Sequence, residues 1–227
     1  GGFRLVNSRT VTLSNAELFA VSKILLENRS LSKAEIEKII LELVDACLPT
    51  AEKKKMSELL RNELFHYVEP HHGKCLIDMI WNLSSAVYHQ KLVHIEYQKT
   101  NGSISKVSVK PLGITCSEYY FYLIAYDADD ETCRAKYFRV DRIVSIVTHR
   151  ERFSLKREYD FDEGDLREKN QFMFPGRTEK IRFSFSGLSV QAILDRLPTA
   201  KVVEKNGKES IIEAEVNHGR GIIMYLL

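Results

Sequence analysis

The chain has 227 residues, of which 44% are hydrophobic, so it can bury a core in one or two domains or in three small ones. Its net charge of +2 excludes a strongly basic protein that wraps nucleic acid, and any polyanion site would depend on local charge. No apolar run approaches the ~20 residues of a membrane span and no signal segment opens the chain, which predicts a cytoplasmic protein.

The residue types that usually carry catalysis or bind metals form no recognised pattern. The cysteines are scattered without a Cys-x-x-Cys pair, which predicts reduced thiols at Cys47, Cys75, Cys116 and Cys133. There is no nucleophile elbow, no phosphate-binding glycine loop and no zinc-protease motif. We therefore expect a protein that is not an enzyme and that needs no cofactor or metal.

Four helices are predicted in the first third of the chain. Ser14 and Ser32 are each followed three residues later by a glutamate, which is the pattern of a capping box at a helix start. Pro49 is expected to end the second helix. The third and fourth helices are expected at about residues 52–65 and 74–90, and Trp81 lies in the apolar stripe of the fourth, which predicts core packing.

A half-buried strand is predicted where Val93, Ile95 and Tyr97 alternate with polar residues, and it ends in a turn that contains Gly102. A two-residue turn would mix the two faces of the hairpin, whereas a three-residue loop with a left-handed Gly102 keeps apolar residues opposite each other. The second register also sets Glu96 opposite Lys106, so we expect it. It pairs Val93 with Val109 and Ile95 with Val107.

Further short strands are expected at about residues 113–116, 119–126, 134–140 and 143–148, which favours a small antiparallel barrel. After an acidic linker at about residues 158–176, the elements follow a β-α-β-β-α order that is close to a ferredoxin-like module. The hairpin of that module is predicted to turn at Asn206-Gly207.

Cations are concentrated in one segment. Residues 134–157 carry eight lysines and arginines and two acidic residues, and residues 158–168 carry six carboxylates and one arginine. The aromatic strand before this segment has no plainly polar face, and two interpretations remain open: a central strand buried on both sides, or a stacking surface. For the arginines, the alternatives are a surface ion pair of Arg142 with Asp141 or Asp127, and a phosphate or base contact by Arg139.

Several motifs follow each other in order between residues 95 and 143: Ile95-Glu96-Tyr97, Asn101-Gly102, Val109-Lys110-Pro111-Leu112-Gly113-Ile114, Phe121-Tyr122-Leu123-Ile124-Ala125-Tyr126-Asp127 and Phe138-Arg139-Val140-Asp141-Arg142-Ile143. In these motifs the chain resembles regulators that contain a WYL domain. Phe121 stands where the family has the tryptophan of its Trp-Tyr-Leu triplet, which keeps the ring and loses the indole donor.

The resemblance implies an α+β chain from a bacterial transcriptional regulator of DeoR-like type, without most of its N-terminal winged helix-turn-helix. The implied parts are a wing-strand remnant at residues 1–12, a helical linker at 13–90, an Sm/SH3-like WYL barrel at 91–153, a linker at 154–178 and an incomplete WCX-like, ferredoxin-like extension at 179–227.

The same resemblance implies a homodimeric effector-sensing module that binds single-stranded DNA or an oligonucleotide and signals to the promoter-binding head. The implied ligand contacts are Tyr122 as a stacking platform, Arg139 and Arg142 as phosphate or base-edge contacts, and Lys106, Lys110 and Tyr97 as supports. A small nucleotide-like ligand and a purely dimerising module are the alternatives. Effector identity, operator sequence and the sign of regulation have no signature in these residues.

Overall fold

The structure is a computed structural model that describes residues 13–130, 134–154, 164, 168–174, 176–218 and 220–226. The chain divides into two compact units. The first comprises the residues up to Met79 together with Glu118–Tyr120, and the second comprises Ile80–Ser117 and Phe121–Leu227.

Three helices form the core of the first unit: α1 (Asn15–Asn28), α2 (Lys33–Cys47) and α3 (Thr50–Phe65). Both predicted capping boxes are confirmed. The hydroxyls of Ser14 and Ser32 each accept a hydrogen bond from the amide three residues later, and the glutamate at that position accepts one from the serine amide. The helices bury an apolar cluster that includes Leu18, Ile36, Ile40, Val44, Met56 and Leu60.

The fourth helix, α4 (Ile77–Tyr88), is shorter than predicted. The buried side of this helix carries Leu83 and Ala86, whereas Trp81 is 72% exposed. The prediction that Trp81 packs in the core is therefore wrong. Apolar residues occur on two sides of this helix, and spacing alone does not tell which side is covered.

Five antiparallel strands of the second unit form a sheet in the order β4-β3-β2-β1-β5. The predicted hairpin register is confirmed, with Val93 opposite Val109, Ile95 opposite Val107, Glu96 opposite Lys106, and a φ of +82° at Gly102. The strands are β1 (Lys91–Gln98), β2 (Ile104–Ser117), β3 (Tyr120–Asp127), β4 (Ala135–Arg139) and β5 (Ile143–Arg152).

One predicted strand boundary is wrong, because the segment expected at residues 113–116 is the continuation of β2 through Pro111. A proline removes a ladder donor and usually interrupts a central strand. Here the pairing of β2 with β1 ends at Val109, so Pro111 lies just beyond that ladder.

The five-stranded sheet is strongly curved. The ring of Tyr97 on β1 packs edge to face with the ring of Phe138 on β4, with the two ring centroids 5.2 Å apart. Two other strands separate β1 from β4 in the order of the sheet. Among the described strands, no pairing joins β4 to β5, so the closed Sm/SH3-like barrel stays a prediction. The mixed helical and antiparallel architecture confirms the α+β class.

The last part of the second unit follows the predicted β-α-β-β-α order. Its strands pair in the order β6-β8-β7, and Gly207 of the hairpin has a φ of +64°. The elements are β6 (Arg177–Phe185), α5 (Val190–Arg196), β7 (Lys201–Asn206), β8 (Glu209–His218) and α6 (Arg220–Leu226). The ferredoxin-like assignment and the domain boundaries stay predictions, and most of the predicted linker falls outside the described residues.

Candidate nucleic-acid interface

The curved sheet has two faces with different roles. We call the inner face the one that carries Val93, Ile95, Val109, Leu123 and Phe138, all of which are buried. Side chains at the alternate positions of each strand project from the opposite side, which we call the outer face.

Two of the predicted site residues lie side by side on the outer face. In the pairing of β3 with β4, Tyr122 is directly opposite Arg139, and Leu123 is opposite Phe138 of the inner face. Directly opposed residues of an antiparallel pair project from the same face with Cβ atoms about 4.5–5.5 Å apart. The structure therefore brings the predicted stacking ring and the predicted phosphate contact together.

The aromatic strand is largely a buried central strand. All four residues from Leu123 to Tyr126 are buried, whichever face they project from, while Tyr122 is half-buried. The interpretation of a strand covered on both sides thus holds for the second half of β3. Between Tyr122 and Asp127, only the first ring retains substantial exposure.

The guanidinium of Arg139 contacts a buried carboxylate. Its Nε donates to Oδ1 of Asp141 at 3.0 Å and its Nη2 donates to Oδ2 at 2.8 Å. The exposed fractions of the two side chains are 21% for Arg139 and 6% for Asp141. A bidentate pair of this kind fixes the plane of the guanidinium, so Asp141 orients the arginine that sequence reasoning placed at the ligand.

Arg142 is not the ion-pair partner that was considered for Asp141 or Asp127. It ends the 3₁₀ turn Val140–Arg142 that follows Arg139, and within the described residues no carboxylate contacts its side chain. Asp127 instead accepts from Lys136 at 2.8 Å, and this hydrogen bond holds the pKa of the Asp127 carboxyl below its usual value.

The two predicted lysines lie away from Tyr122 along the sheet. The amide of Ala128 donates to the carbonyl of Ser108 at 2.8 Å, which aligns the end of β3 with the first half of β2. Because Tyr122 precedes Ala128 by six residues on an antiparallel neighbour, it is displaced roughly 20 Å along the strand from that point. Along β2, Lys106 lies beyond Ser108 in the direction away from Tyr122. Lys110 lies between the level of Ser108 and the level of Tyr122.

Lys106 also has an intramolecular partner. Its Nζ lies 3.1 Å from Oε1 of Glu96, which in turn accepts from Ser145 at 2.8 Å. The hydrogen bonds from Ser145 and Lys106 lower the pKa of the Glu96 carboxyl. The structure thus places Lys106 in a cross-strand ion pair at the hairpin, apart from Tyr122 and Arg139.

Tyr97 approaches the site from the inner face. Its hydroxyl accepts a hydrogen bond from the backbone amide of Arg139 at 3.3 Å, while its ring packs on Phe138. Tyr97 therefore supports β4 from beneath and does not line the outer face.

Sequence reasoning missed a cleft of about 660 Å³ beside β4, which is lined by Asp130, Arg134, Ala135, Lys136, Tyr137, Gly176 and Arg177. Burial raises the pKa of the Tyr137 hydroxyl to about 12, and the neighbouring Asn170 side chain lowers it in part. The cation count of residues 134–157 pointed to one wall of the cleft. Arg177 forms part of the other wall. It lies about forty residues after Lys136 in the sequence, so no local pattern could place it beside that strand.

Residues 78–148 match the WYL domain. Among solved structures, the chain is similar to proteasome accessory factor B/C (PafBC) of Arthrobacter aurescens, with a TM-score of 0.35 and 14% identity, over 94% of this chain and 31% of that one. The chain thus spans about a third of the length of that protein. No curated protein matches the chain. Within the described residues, no helix is both long and apolar enough to cross a membrane. The part of the chain that forms α4 and most of the five-stranded sheet is a WYL domain.

Proposed function

We propose that this chain is the effector-sensing and dimerising part of a bacterial transcriptional regulator, and that it acts by binding and not by catalysis. Its WYL domain binds single-stranded nucleic acid or an oligonucleotide on the outer face at Tyr122, Arg139 and Arg142. In the full protein this binding is passed to a winged helix-turn-helix head that reads promoter DNA. The WYL match over residues 78–148 supports the assignment to a regulator.

The observation that carries the ligand assignment is the pairing of Tyr122 with Arg139 across neighbouring strands. Stacking of a base on an aromatic ring is worth about 1–3 kcal/mol, and a guanidinium donates a charge-assisted hydrogen bond to a phosphate oxygen. A nucleotide bound here would stack on Tyr122 while its phosphate contacts Arg139. Arg142, one 3₁₀ turn later, adds a second cation.

Asp141 has a positioning role in this proposal. A guanidinium on a long flexible stem loses rotamer entropy when it binds a ligand, and a residue that already fixes its plane reduces that cost. The bidentate contact of Asp141 with Arg139 supplies this orientation before the ligand arrives.

A small nucleotide-like effector is the second candidate. The burial of Ile124 and Tyr126, which follow Tyr122 on the same face of β3, favours this candidate. Because both side chains are covered, neither offers an exposed surface on which a second base could stack. A mono- or dinucleotide would need only the Tyr122 and Arg139 contacts.

Fluorescence anisotropy with labelled single strands of about 4 and about 12 nucleotides, at two salt concentrations, tests the proposal. We expect affinity to fall with salt at a slope of roughly −0.7 per phosphate contacted. Tyr122→Ala and Arg139→Ala should weaken binding, while Tyr88→Ala and Arg150→Ala, which change exposed residues on α4 and β5, should not. Absence of binding at low salt, or binding that ignores salt, would contradict the proposal.

Homodimerisation forms the second part of the proposed function. Operator-binding heads are commonly presented as two-fold pairs, so the module that carries them is expected to pair as well. Sedimentation equilibrium should show a monomer–dimer equilibrium, and a monomer at every concentration would count against this part.

A further inference from the structure

The cleft beside β4 combines cations from two distant segments of the second unit. Arg134 directly precedes β4 and Lys136 lies within it, whereas Arg177 is the first residue of β6. The phenol of Tyr137 also lines the cleft, and Asp130 is the one carboxylate among the described residues that line it. The fold therefore gathers three positive charges around a space of about 660 Å³.

These charges are unequally balanced within the protein. The Nζ of Lys136 lies 2.8 Å from Asp127 and 3.6 Å from Asp130, so its charge is neutralised locally. Arg134 and Arg177 are exposed, and no described residue forms an ion pair or hydrogen bond with either guanidinium. Like charges that share a concave surface repel each other, and an anion held between them would relieve that repulsion.

The cleft borders the proposed ligand face along β4, which is the edge strand of the sheet. Tyr137 precedes Arg139 by two residues on β4, so both project from the outer face about 6.8 Å apart along the strand. The same pairing that sets Tyr122 opposite Arg139 sets Ile124 opposite Tyr137. A linear polyanion with one unit at Arg139 would therefore meet Tyr137 next and the two arginines after it.

We propose that this cleft binds phosphate groups of the same oligonucleotide whose base stacks on Tyr122, so that the strand follows β4 from Arg139 towards Arg134 and Arg177. This inference rests on the proposed function and deepens it. The cleft adds phosphate contacts for neighbouring nucleotides, and the ligand it selects is an oligonucleotide longer than the Tyr122 site alone would need.

Strand length separates the two sites experimentally. We measure affinity and its salt slope for single strands of about 4 and about 12 nucleotides in the wild type, Arg177→Gln, Arg134→Gln and Arg150→Gln. Arg150 is an exposed arginine on β5 that does not line the cleft, so its variant has the same charge change. Circular dichroism confirms that each exposed substitution leaves the fold intact.

Either cleft variant should lower the magnitude of the salt slope for the long strand by about 0.7, the value for one phosphate contact. Its affinity for the short strand should match that of Arg150→Gln. If both cleft variants match the control with the long strand too, the cleft proposal is overturned while the Tyr122 site stands. If the wild type binds neither strand, the proposed function fails first.

A small anion is the other possible source of phosphate. Calorimetric titration with inorganic pyrophosphate should show no binding that depends on Arg177, because a strand held at several points is needed for affinity. Pyrophosphate binding that Arg177→Gln abolishes, together with a long-strand affinity that the variant leaves unchanged, would overturn the oligonucleotide assignment and show a small-anion site.

Discussion

Arg139 and Asp141 form a bidentate pair across two residues of sequence, with Nε to Oδ1 at 3.0 Å and Nη2 to Oδ2 at 2.8 Å. Because Asp141 is buried, its carboxylate depends on protein donors where water is excluded. The pair therefore serves both the packing of β4 and the orientation of the proposed ligand contact.

Replacing this carboxylate should reduce stability. We expect Asp141→Asn to lower the free energy of unfolding by about 1.5–3 kcal/mol, the range for hydrogen bonds to charged groups. Urea denaturation followed by circular dichroism measures the change. Asp129→Asn is the matched control, because Asp129 is exposed and its carboxylate makes no ion pair with a described residue. Equal stability of the two variants would show that the pair contributes nothing.

Glu35 joins the starts of two helices through its two carboxylate oxygens. Oε2 accepts from the amide of Ser32 at 3.0 Å, and Oε1 accepts from the amide of Ile77 at 2.9 Å and also from that of Leu76. Glu35→Ala would remove a cap and leave these amides without their acceptor. We expect a loss of about 2–4 kcal/mol in urea denaturation.

Glu17 provides the comparison for this prediction. It forms the same capping box at α1 with Ser14, on an exposed surface. Glu17→Ala should cost less than Glu35→Ala, because it removes one exposed capping contact and leaves no buried amide without an acceptor. If the two alanine variants lose the same stability, the contact of Glu35 with the start of α4 adds nothing.

Gly102 occupies the left-handed position of the β1–β2 loop. Its φ is +82° and a Cβ there would meet no atom within 4 Å, so a side chain would introduce backbone strain without a clash. We expect Gly102→Ala to cost about 1–2 kcal/mol. Gly102→Asn should cost less, because asparagine tolerates this conformation. Unfolding in urea measures both, and an alanine variant as stable as the wild type would contradict the reasoning.

The Asp127–Lys136 pair should make stability depend on pH in the acid range. Lys136 lowers the pKa of Asp127, so the pair contributes fully above the ordinary carboxyl value of about 3.9. The contribution is lost as pH falls through the lower folded pKa.

Because the Lys136 side chain is 43% exposed, solvent screening limits the contribution to about 0.2–1 kcal/mol. Asp127→Asn should lose this amount at neutral pH, and its deficit should disappear in strong acid. Denaturation curves across pH check this, with Asp129→Asn as the charge-matched variant. A deficit that persists unchanged in acid would exclude the ion pair as its cause.

The single tryptophan offers a spectroscopic check of the α4 assignment. Trp81 is 72% exposed, so its fluorescence should be quenched freely by acrylamide and emit at the wavelength of hydrated indole. Protection that vanishes on dilution would indicate that a second copy covers this side of the helix. Protection that persists in the monomer would contradict the exposure.

Patterns confined to a few residues were predicted correctly. The capping boxes at Ser14 and Ser32 and the hairpin register around Gly102 depend on neighbours three to sixteen positions away, and backbone geometry leaves few alternatives at that range. The pairing of Glu96 with Lys106 followed from that register alone.

Packing between distant segments decided the rest. Glu35 accepts from an amide 41 residues later, the covered side of α4 excludes Trp81, and Arg177 joins the cleft of Arg134 from another strand. Arg139 and Asp141 are close in sequence, yet their contact depends on the burial of Asp141. The sequence by itself determined the caps, the hairpin register and the element order, because local geometry has few solutions. The tertiary structure alone decided which charges are paired within the protein and which are exposed, because burial depends on every element that packs against them.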